Sequence, residues 1–238
     1  MELAGKTTLI TGGGSGIGAE TARYMAARGA AVALAGIPSV DLETVAFEIT
    51  KAGGQALSIE TDVTIEGDIE AAIAATIEAF GSLNAVIANA GVQRHQTDVD
   101  LFSMTEDEWE HTQDVNLRGV FRTCKHGLAR MIDQRDGGSI VIVSSITALN
   151  GRTPNVSYMT AKSALLGLNR HIAVHYAKHG IRCNAVCPGA FLTAGTAEHA
   201  KAEGKTLEEI CFSNPWLFGV EIPLWNKKRL RICQHPLK

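Results

Sequence analysis

The sequence predicts a doubly wound parallel α/β sheet, and three observations carry that prediction. Short apolar runs alternate with amphipathic stretches six times along the 238 residues. Two of the runs, 85–88 and 140–143, are continuously apolar, as strands buried on both faces are. A glycine cluster stands directly between the first run and the first amphipathic stretch. Parallel strands joined by right-handed helical crossovers accommodate this alternation most simply, and they place a ligand at the C-terminal strand ends.

Taken in order, residues 8–10 are expected as the first strand and the alanine-rich 19–27 as the first helix. Residues 31–35 form a second strand, and 42–52 a helix closed by Gly53-Gly54. A third strand, 56–60, precedes a helix at 69–80, whose apolar positions Ile69, Ile73, Ile77 and Phe80 recur at helical spacing. Residues 83–88 are a fourth strand, followed by helices near 106–116 and 120–134. A fifth strand at 139–143, a long helix at 157–178 and a sixth strand at 181–186 complete the series, in the expected order 3-2-1-4-5-6.

Composition narrows the function classes. Apolar residues make up 45% and charged residues 20%, ordinary values for a folded domain rather than a disordered chain. A net charge of −3 gives no reason to expect nucleic acid or an anionic membrane as partner. No apolar run reaches 18 residues, and Glu2 stands where a secretory signal would carry positive charge. Five scattered cysteines (Cys124, Cys183, Cys187, Cys211, Cys233) suit reduced thiols in the cytoplasm better than a disulfide framework.

Two local patterns carry chemistry. In Gly12-Gly13-Gly14-Ser15-Gly16-Ile17-Gly18, glycines let the backbone turn tightly and approach a pyrophosphate at a helix N-terminus. The spacing is Gly-x-x-x-Gly-x-Gly; a ligand-free strand-to-helix turn is the competing reading. Tyr158 and Lys162 lie four apart, on one helix face. A cation there favours phenolate and is expected to lower the tyrosine pKa toward a useful range, although the same spacing arises on ordinary helix surfaces.

Their combination is informative. The glycine loop, Asn89-Ala90-Gly91 after the fourth strand, Ser144-Ser145 after the fifth, Tyr158-x-x-x-Lys162, and Pro188-Gly189 with Thr193 after the sixth follow in order. From about residue 6 to 193 this resembles the short-chain dehydrogenase/reductase family in its compact single-domain form, a Rossmann-type fold. The resemblance implies a catalytic tetrad of Asn116, Ser145, Tyr158 and Lys162. Tyr158 would exchange the proton of an alcohol or carbonyl, Lys162 would tune it and hold the nicotinamide ribose, Ser145 would bind the substrate oxygen, and Asn116 would hold a water. Cofactor contacts would come from Gly12, Ser15, Gly16, Ile17, Gly18, Asp62, Val63, Asn89, Ala90, Gly91, Tyr158, Lys162, Pro188, Gly189 and Thr193. The family's usual second Asn is here Ala88. The implied activity is NAD(P)-dependent hydride transfer to or from a small alcohol or ketone. A non-catalytic dinucleotide-binding scaffold, or an isomerase or dehydratase using the same tyrosine, are the alternatives. Val92, Gln93, Thr147, Asn155 and Phe191 would shape the substrate pocket.

Cofactor choice is weakly written. The acid that often meets an NAD ribose would stand at Gly36, and the cations that meet an NADP phosphate would stand at Ser15 or Ile37. The missing cation favours NAD over NADP, with Asp41 too far along, in the helix start. His171, His175 and His179 recur at helical spacing but are expected as surface or subunit contact, with no metal. Cys183 and Cys187 are expected as structural thiols. Beyond Gly219 the resemblance stops. Residues 1–219 are expected as the dinucleotide-binding and catalytic domain, and 220–238 as an atypical tail, divergent or frame-shifted. The tail has five basic and one acidic side chain, which leaves −7 on the rest. Without the family's seventh strand, a homodimer through the long helices 120–134 and 157–178 is favoured over a tetramer.

Overall fold

The computed structural model describes residues 1–95, 97–150, 153–189, 204 and 206. Strand β1 (Thr7–Thr11) leads into α1 (Gly16–Ala26), then β2 (Ala31–Gly36), α2 (Ser39–Lys51), β3 (Gln55–Glu60), α3 (Glu66–Phe80) and β4 (Ala85–Ala88). The second half runs α4 (Glu106–Gln113), a π-helical turn (Asp114–Gly119), α5 (Val120–Gln134), β5 (Gly138–Val143), α6 (Val156–His175) and β6 (Ile181–Val186). The described strands form one sheet of six, all parallel, in the order β3-β2-β1-β4-β5-β6. This is the expected doubly wound arrangement.

Adjacent residues of a strand point to opposite faces, and β1 shows why both faces are apolar. Leu9 belongs to the core layer that holds Val86 and Ile140 of the sheet with Ile69, Leu128 and Leu165 of α3, α5 and α6. Its neighbour Ile10 belongs to the opposite core layer, with Ala19, Ala22, Leu42, Val45 and Ile49 of α1 and α2. The register sets Leu9 beside Ala33 of β2 and Val86 of β4. Small residues on α1 let that helix lie close to the sheet, which holds the glycine loop at the end of β1.

Several element ends differ from expectation for identifiable reasons. β4 starts at Ala85 rather than 83, because the Gln134 side chain satisfies both Leu83 backbone groups, at 2.9 and 3.0 Å. The expected helix stop at Asn116 does not occur; α4 passes through the π-helical turn into α5 without a break. The long helix ends at His175, and Gly180 in the left-handed region closes a short 3-10 turn before β6. The start of α4 is capped as its residues suggest: Thr105 Oγ1 accepts from the Glu108 N–H at 3.2 Å, ahead of an acidic first turn. Between α3 and α5, Glu66 takes Lys125 at 2.7 Å and His126 at 2.8 Å.

Residues Met1–Cys187 make one compact unit, and Pro188 opens a second. The expected boundary at 219, the tail 220–238, Thr193 and Phe191 lie outside the described residues. Among the described residues, no helix is long and apolar enough to cross a membrane.

Candidate active site

The C-terminal ends of β1, β4 and β5 carry the residues singled out from the sequence. After Thr11 the chain turns at Gly12, whose φ of +65° is in the left-handed region, and α1 begins at Gly16. Gly18 is a matter of space: a Cβ there would lie 2.1 Å from the Gly12 carbonyl oxygen and 2.7 Å from Asn89 Nδ2. Ser15 holds the N-cap position in extended conformation, yet its hydroxyl makes no capping bond, and the first turn contains no acid. The amides of Gly16, Ile17 and Gly18 therefore form an electropositive helix start without a protein anion to complement it, which fits a pyrophosphate.

Asn89 knits this loop to β4. Its Nδ2 donates to the Thr11 and Gly12 carbonyls at 3.0 and 3.2 Å. The backbone N–H groups of Asn89 and Ala90 donate to Thr11 Oγ1 at 3.1 and 3.2 Å. Thr11 was not singled out from the sequence, although a hydroxyl as the last residue of an otherwise buried strand is a usable signal. Asp62, after β3, spends Oδ1 on Thr64, at 2.8 Å to the N–H and 2.7 Å to the hydroxyl. Val63 turns its side chain into the core against Gly119, so what it offers a ligand is backbone. Pro188 and Gly189 follow β6 in the chain.

The four residues of the expected tetrad come from three segments. Asn116 is fully buried in the π-helical turn. Its Nδ2 donates to the Val92 carbonyl at 2.8 Å and the Thr112 carbonyl at 3.1 Å, and its Oδ1 accepts from the Val92 N–H at 3.1 Å. The side chain thus clamps the turn at the end of β4 instead of ending a helix. Gly91 is the meeting point: a Cβ there would lie 2.7 Å from Asn116 Oδ1 and 3.2 Å from Lys162 Nζ. Lys162, itself buried, donates from Nζ to the Val143 carbonyl at 2.9 Å and stands 5.6 Å from the centre of the Tyr158 ring. The Ser145 hydroxyl lies near enough to the Tyr158 phenol to favour its ionised form. Ser145 Oγ accepts from the Thr147 N–H at 3.2 Å, which orients it through the short 3-10 turn after β5.

Electrostatics here differ from the sequence expectation. Burial raises the Tyr158 pKa above its ordinary value, opposed by the Ser145 hydrogen bond. Burial also lowers Lys162 to about 8. In the protein alone, desolvation outweighs the help Lys162 was expected to give, and the phenol is held neutral at pH 7.

One residue that positions the site escaped sequence reasoning altogether. Asp98 is fully buried, and its carboxylate accepts from the backbone N–H groups of Ser157 and Tyr158 at 3.0 and 2.9 Å. It complements the positive end of the 20-residue α6 and fixes the turn carrying Tyr158. Asn155 Nδ2 donates to the Asp98 carbonyl, and Asn155 Oδ1 accepts from Gln93 at 3.1 Å. Gln113 adds a bond from its Nε2 to the Ser157 carbonyl at 2.9 Å. Two expected pocket residues, Gln93 and Asn155, thus bind one another, whereas the Thr147 hydroxyl is buried and has no hydrogen-bond partner among the described residues.

The His171 and His175 rings stack at 4.3 Å on the outer side of α6, away from the tetrad. Burial pushes the Cys183 thiol up to about 12 and raises Cys124 further, which keeps both unreactive.

A family model described as short chain dehydrogenase matches residues 6–204. The chain is 38% identical over 192 residues to 2,5-dichloro-2,5-cyclohexadiene-1,4-diol dehydrogenase of Sphingobium indicum, covering 81% of this chain and 75% of that enzyme. Its fold is similar to the crystal structure of levodione reductase, with a TM-score of 0.81, 32% identity, and coverage of 88% of this chain and 81% of the other. It is also similar to 3-ketoacyl-(acyl-carrier-protein) reductase from Brucella melitensis complexed with NADH, at a TM-score of 0.76 and 29% identity, covering 81% and 78%.

Proposed function

We propose that this chain, which belongs to the short-chain dehydrogenase/reductase family of oxidoreductases, interconverts a secondary alcohol and a ketone with a nicotinamide dinucleotide as its redox partner. The observation that carries the reading is the convergence on Gly91 and the end of β5. Asn116, Ser145, Tyr158 and Lys162 span 47 residues of sequence, and their closeness at the C-terminal strand ends, where an open parallel sheet binds its ligand, supports the reading. When bound, the dinucleotide supplies or accepts the hydride.

The chain's own residues do the remaining work. The amides at the start of α1 hold the pyrophosphate, and Asn89, Ala90 and Gly91 border the path toward Lys162. Tyr158 gives its phenolic proton to a carbonyl oxygen on reduction, and takes it from the alcohol on oxidation. Ser145, beside that phenol, donates a hydrogen bond to the oxygen where charge develops. Lys162 places its ammonium beside the phenol, and Asn116 holds the Val92 turn against it. Asn116 Oδ1 keeps an acceptor site for a water. The Thr147 hydroxyl, without a partner among the described residues, offers a further hydrogen bond to a substrate with a second oxygen. NAD is favoured over NADP.

Tyr158→Phe tests the assignment. The expected result is a loss of turnover of ~10²–10⁴-fold, the usual worth of general acid–base catalysis, with dinucleotide binding retained. Near-normal turnover in the folded variant overturns the role of Tyr158. Net oxidation or reduction of the dinucleotide across a panel of alcohols and ketones separates this reading from a binding scaffold or an isomerase.

A further inference from the structure

The inference concerns what holds Tyr158 in place, and it rests on the acid–base reading above. Tyr158 is the third residue of α6. The amides of a helix's first turn have no partner within the helix, so this turn frays unless something caps it. The residue placed to do so is Asn155, which directly precedes the helix. An asparagine there ordinarily accepts from the second or third amide of the helix, here those of Ser157 and Tyr158. Asn155 makes no such bond. Its Oδ1 instead accepts from Gln93 Nε2 at 3.1 Å and from Thr153 Oγ1 at 2.9 Å, and its Nδ2 donates to the Asp98 carbonyl.

Both amides go to Asp98, which stands 59 and 60 residues earlier in the chain. One carboxylate oxygen takes Ser157 at 3.0 Å and the other takes Tyr158 at 2.9 Å. Asp98, Asn155 and Ser157 are all buried, so water cannot replace the carboxylate. α6 carries no acid of its own in the first turn. Asp98 is held in turn: its N–H and that of Thr97 donate to the Arg94 carbonyl at 2.9 and 3.2 Å. The Arg94 guanidinium lies 3.4 Å from Glu108 of α4. At the other end of this segment Val92 is clamped by Asn116. The segment therefore connects Asn116 with the amide of Tyr158.

A cap supplied by Asn155 would travel with the helix it caps. A cap supplied by Asp98 ties the helix start to a separate segment. We propose that Asp98 is a positioning residue for the acid–base step: it caps α6 in place of Asn155 and thereby fixes the Tyr158 phenol relative to Ser145 and Lys162. Lys162 lies one turn further into the helix and has its own hold on the Val143 carbonyl, at 2.9 Å. Asn89 holds the glycine loop independently, through the Thr11 and Gly12 carbonyls. Loss of the Asp98 carboxylate should therefore displace Tyr158 and leave the dinucleotide site standing.

Asp98→Asn and Asp98→Ser test this, each retaining an acceptor oxygen while removing the carboxylate. Turnover, calorimetric binding of NADH and amide hydrogen exchange are measured on both variants and on the unaltered protein. We expect kcat to fall ~10–10²-fold, since a misplacement of about 1 Å can cost about 10²-fold. The KM and Kd for the dinucleotide should stay unchanged. Exchange at Ser157 and Tyr158 should quicken at least ~tenfold while residues 165–172 keep their protection. A purely stabilising residue would not split kcat from binding, or the first turn from the helix interior, in this way. Normal kcat in the folded variants overturns the positioning role. So does exchange that quickens along the whole of α6 together with weakened NADH binding, or failure of both variants to fold, because Asp98 is then a general support of the fold. If the unaltered protein turns over no alcohol or ketone while the exchange pattern is as expected, the acid–base reading fails and the cap stands.

Discussion

Replacing Lys162 by methionine isolates the cost of burying an ammonium group at the centre of the site. Methionine preserves the length and apolar stem of the side chain and removes the charge. In the folded protein burial brings Lys162 from 10.5 down to about 8. Such a difference corresponds to about 3 kcal/mol between the two protonation states. Below pH 8 the amine is protonated in both folded and unfolded chains, and the cost of the buried charge is borne in full. Between pH 8 and 10.5 the unfolded chain binds more protons than the folded one, so this contribution to stability rises with pH. Above 10.5 both forms are neutral and the cost is gone. The lost bond to the Val143 carbonyl, 2.9 Å in the unaltered protein, penalises the variant by about 1–3 kcal/mol at every pH. Denaturant unfolding of both proteins from pH 6 to 10.5 separates the two effects. The stability difference should be flat up to about pH 7.5 and then move by about 3 kcal/mol in favour of the unaltered protein. All other titrating groups are shared and cancel. A difference independent of pH would refute the buried-ammonium argument, and a change of opposite sign would refute its direction.

Three further outcomes follow from the same geometry. Because burial holds the Tyr158 phenol above its ordinary pKa, alcohol oxidation should climb with pH through the alkaline range while ketone reduction is already fast at neutrality; a pH–rate profile in both directions checks this. Gly91→Ala would put a methyl group 2.7 Å from Asn116 Oδ1; we expect at least a tenfold loss of turnover, with a melting temperature lowered by a few degrees, measured by steady-state kinetics and calorimetry. The outer faces of α5 and α6 enclose a groove lined by Phe121, Leu128, Ile132, Leu168, Ile172 and Tyr176; light scattering should report a dimer, and Leu168→Glu should shift it to monomer.

Legibility in the sequence followed the range of the forces involved. The ends of α5 and β6 coincide with the sequence expectation, because apolar periodicity and local turn residues set them. The sheet order also follows, since short connections and right-handed crossovers leave few alternatives. The stop expected at Asn116 failed because the amide of that residue is satisfied by Val92, 24 residues earlier, and no local pattern encodes such a partner. Asp98 was missed for the same reason, being 60 residues from the Tyr158 amide it holds. The spacing of Tyr158 and Lys162 was plain, but their proton affinities were not. Spacing on a helix gives proximity, whereas desolvation depends on how deeply the sheet and Val143 enclose both groups.

The wide turn at Asp114–Gly119 determines how this stretch can change in length. Each residue of an α-helix advances the chain by about 100° around the axis, so the turn sets the angular phase between α4 and α5. Upstream it directs Glu108 and Thr112 inward, and downstream Val120, Thr123 and Cys124. Loss of one residue would close the turn into plain α-helix and leave both helices intact. One buried face would then rotate toward solvent, or Asn116 would swing away from Val92. The seven residues between Thr112 and Val120 are thus counted by rotation rather than reach. An insertion in the loop before Thr105 lengthens a surface excursion, but a single insertion or deletion here would take the site apart without unfolding a helix.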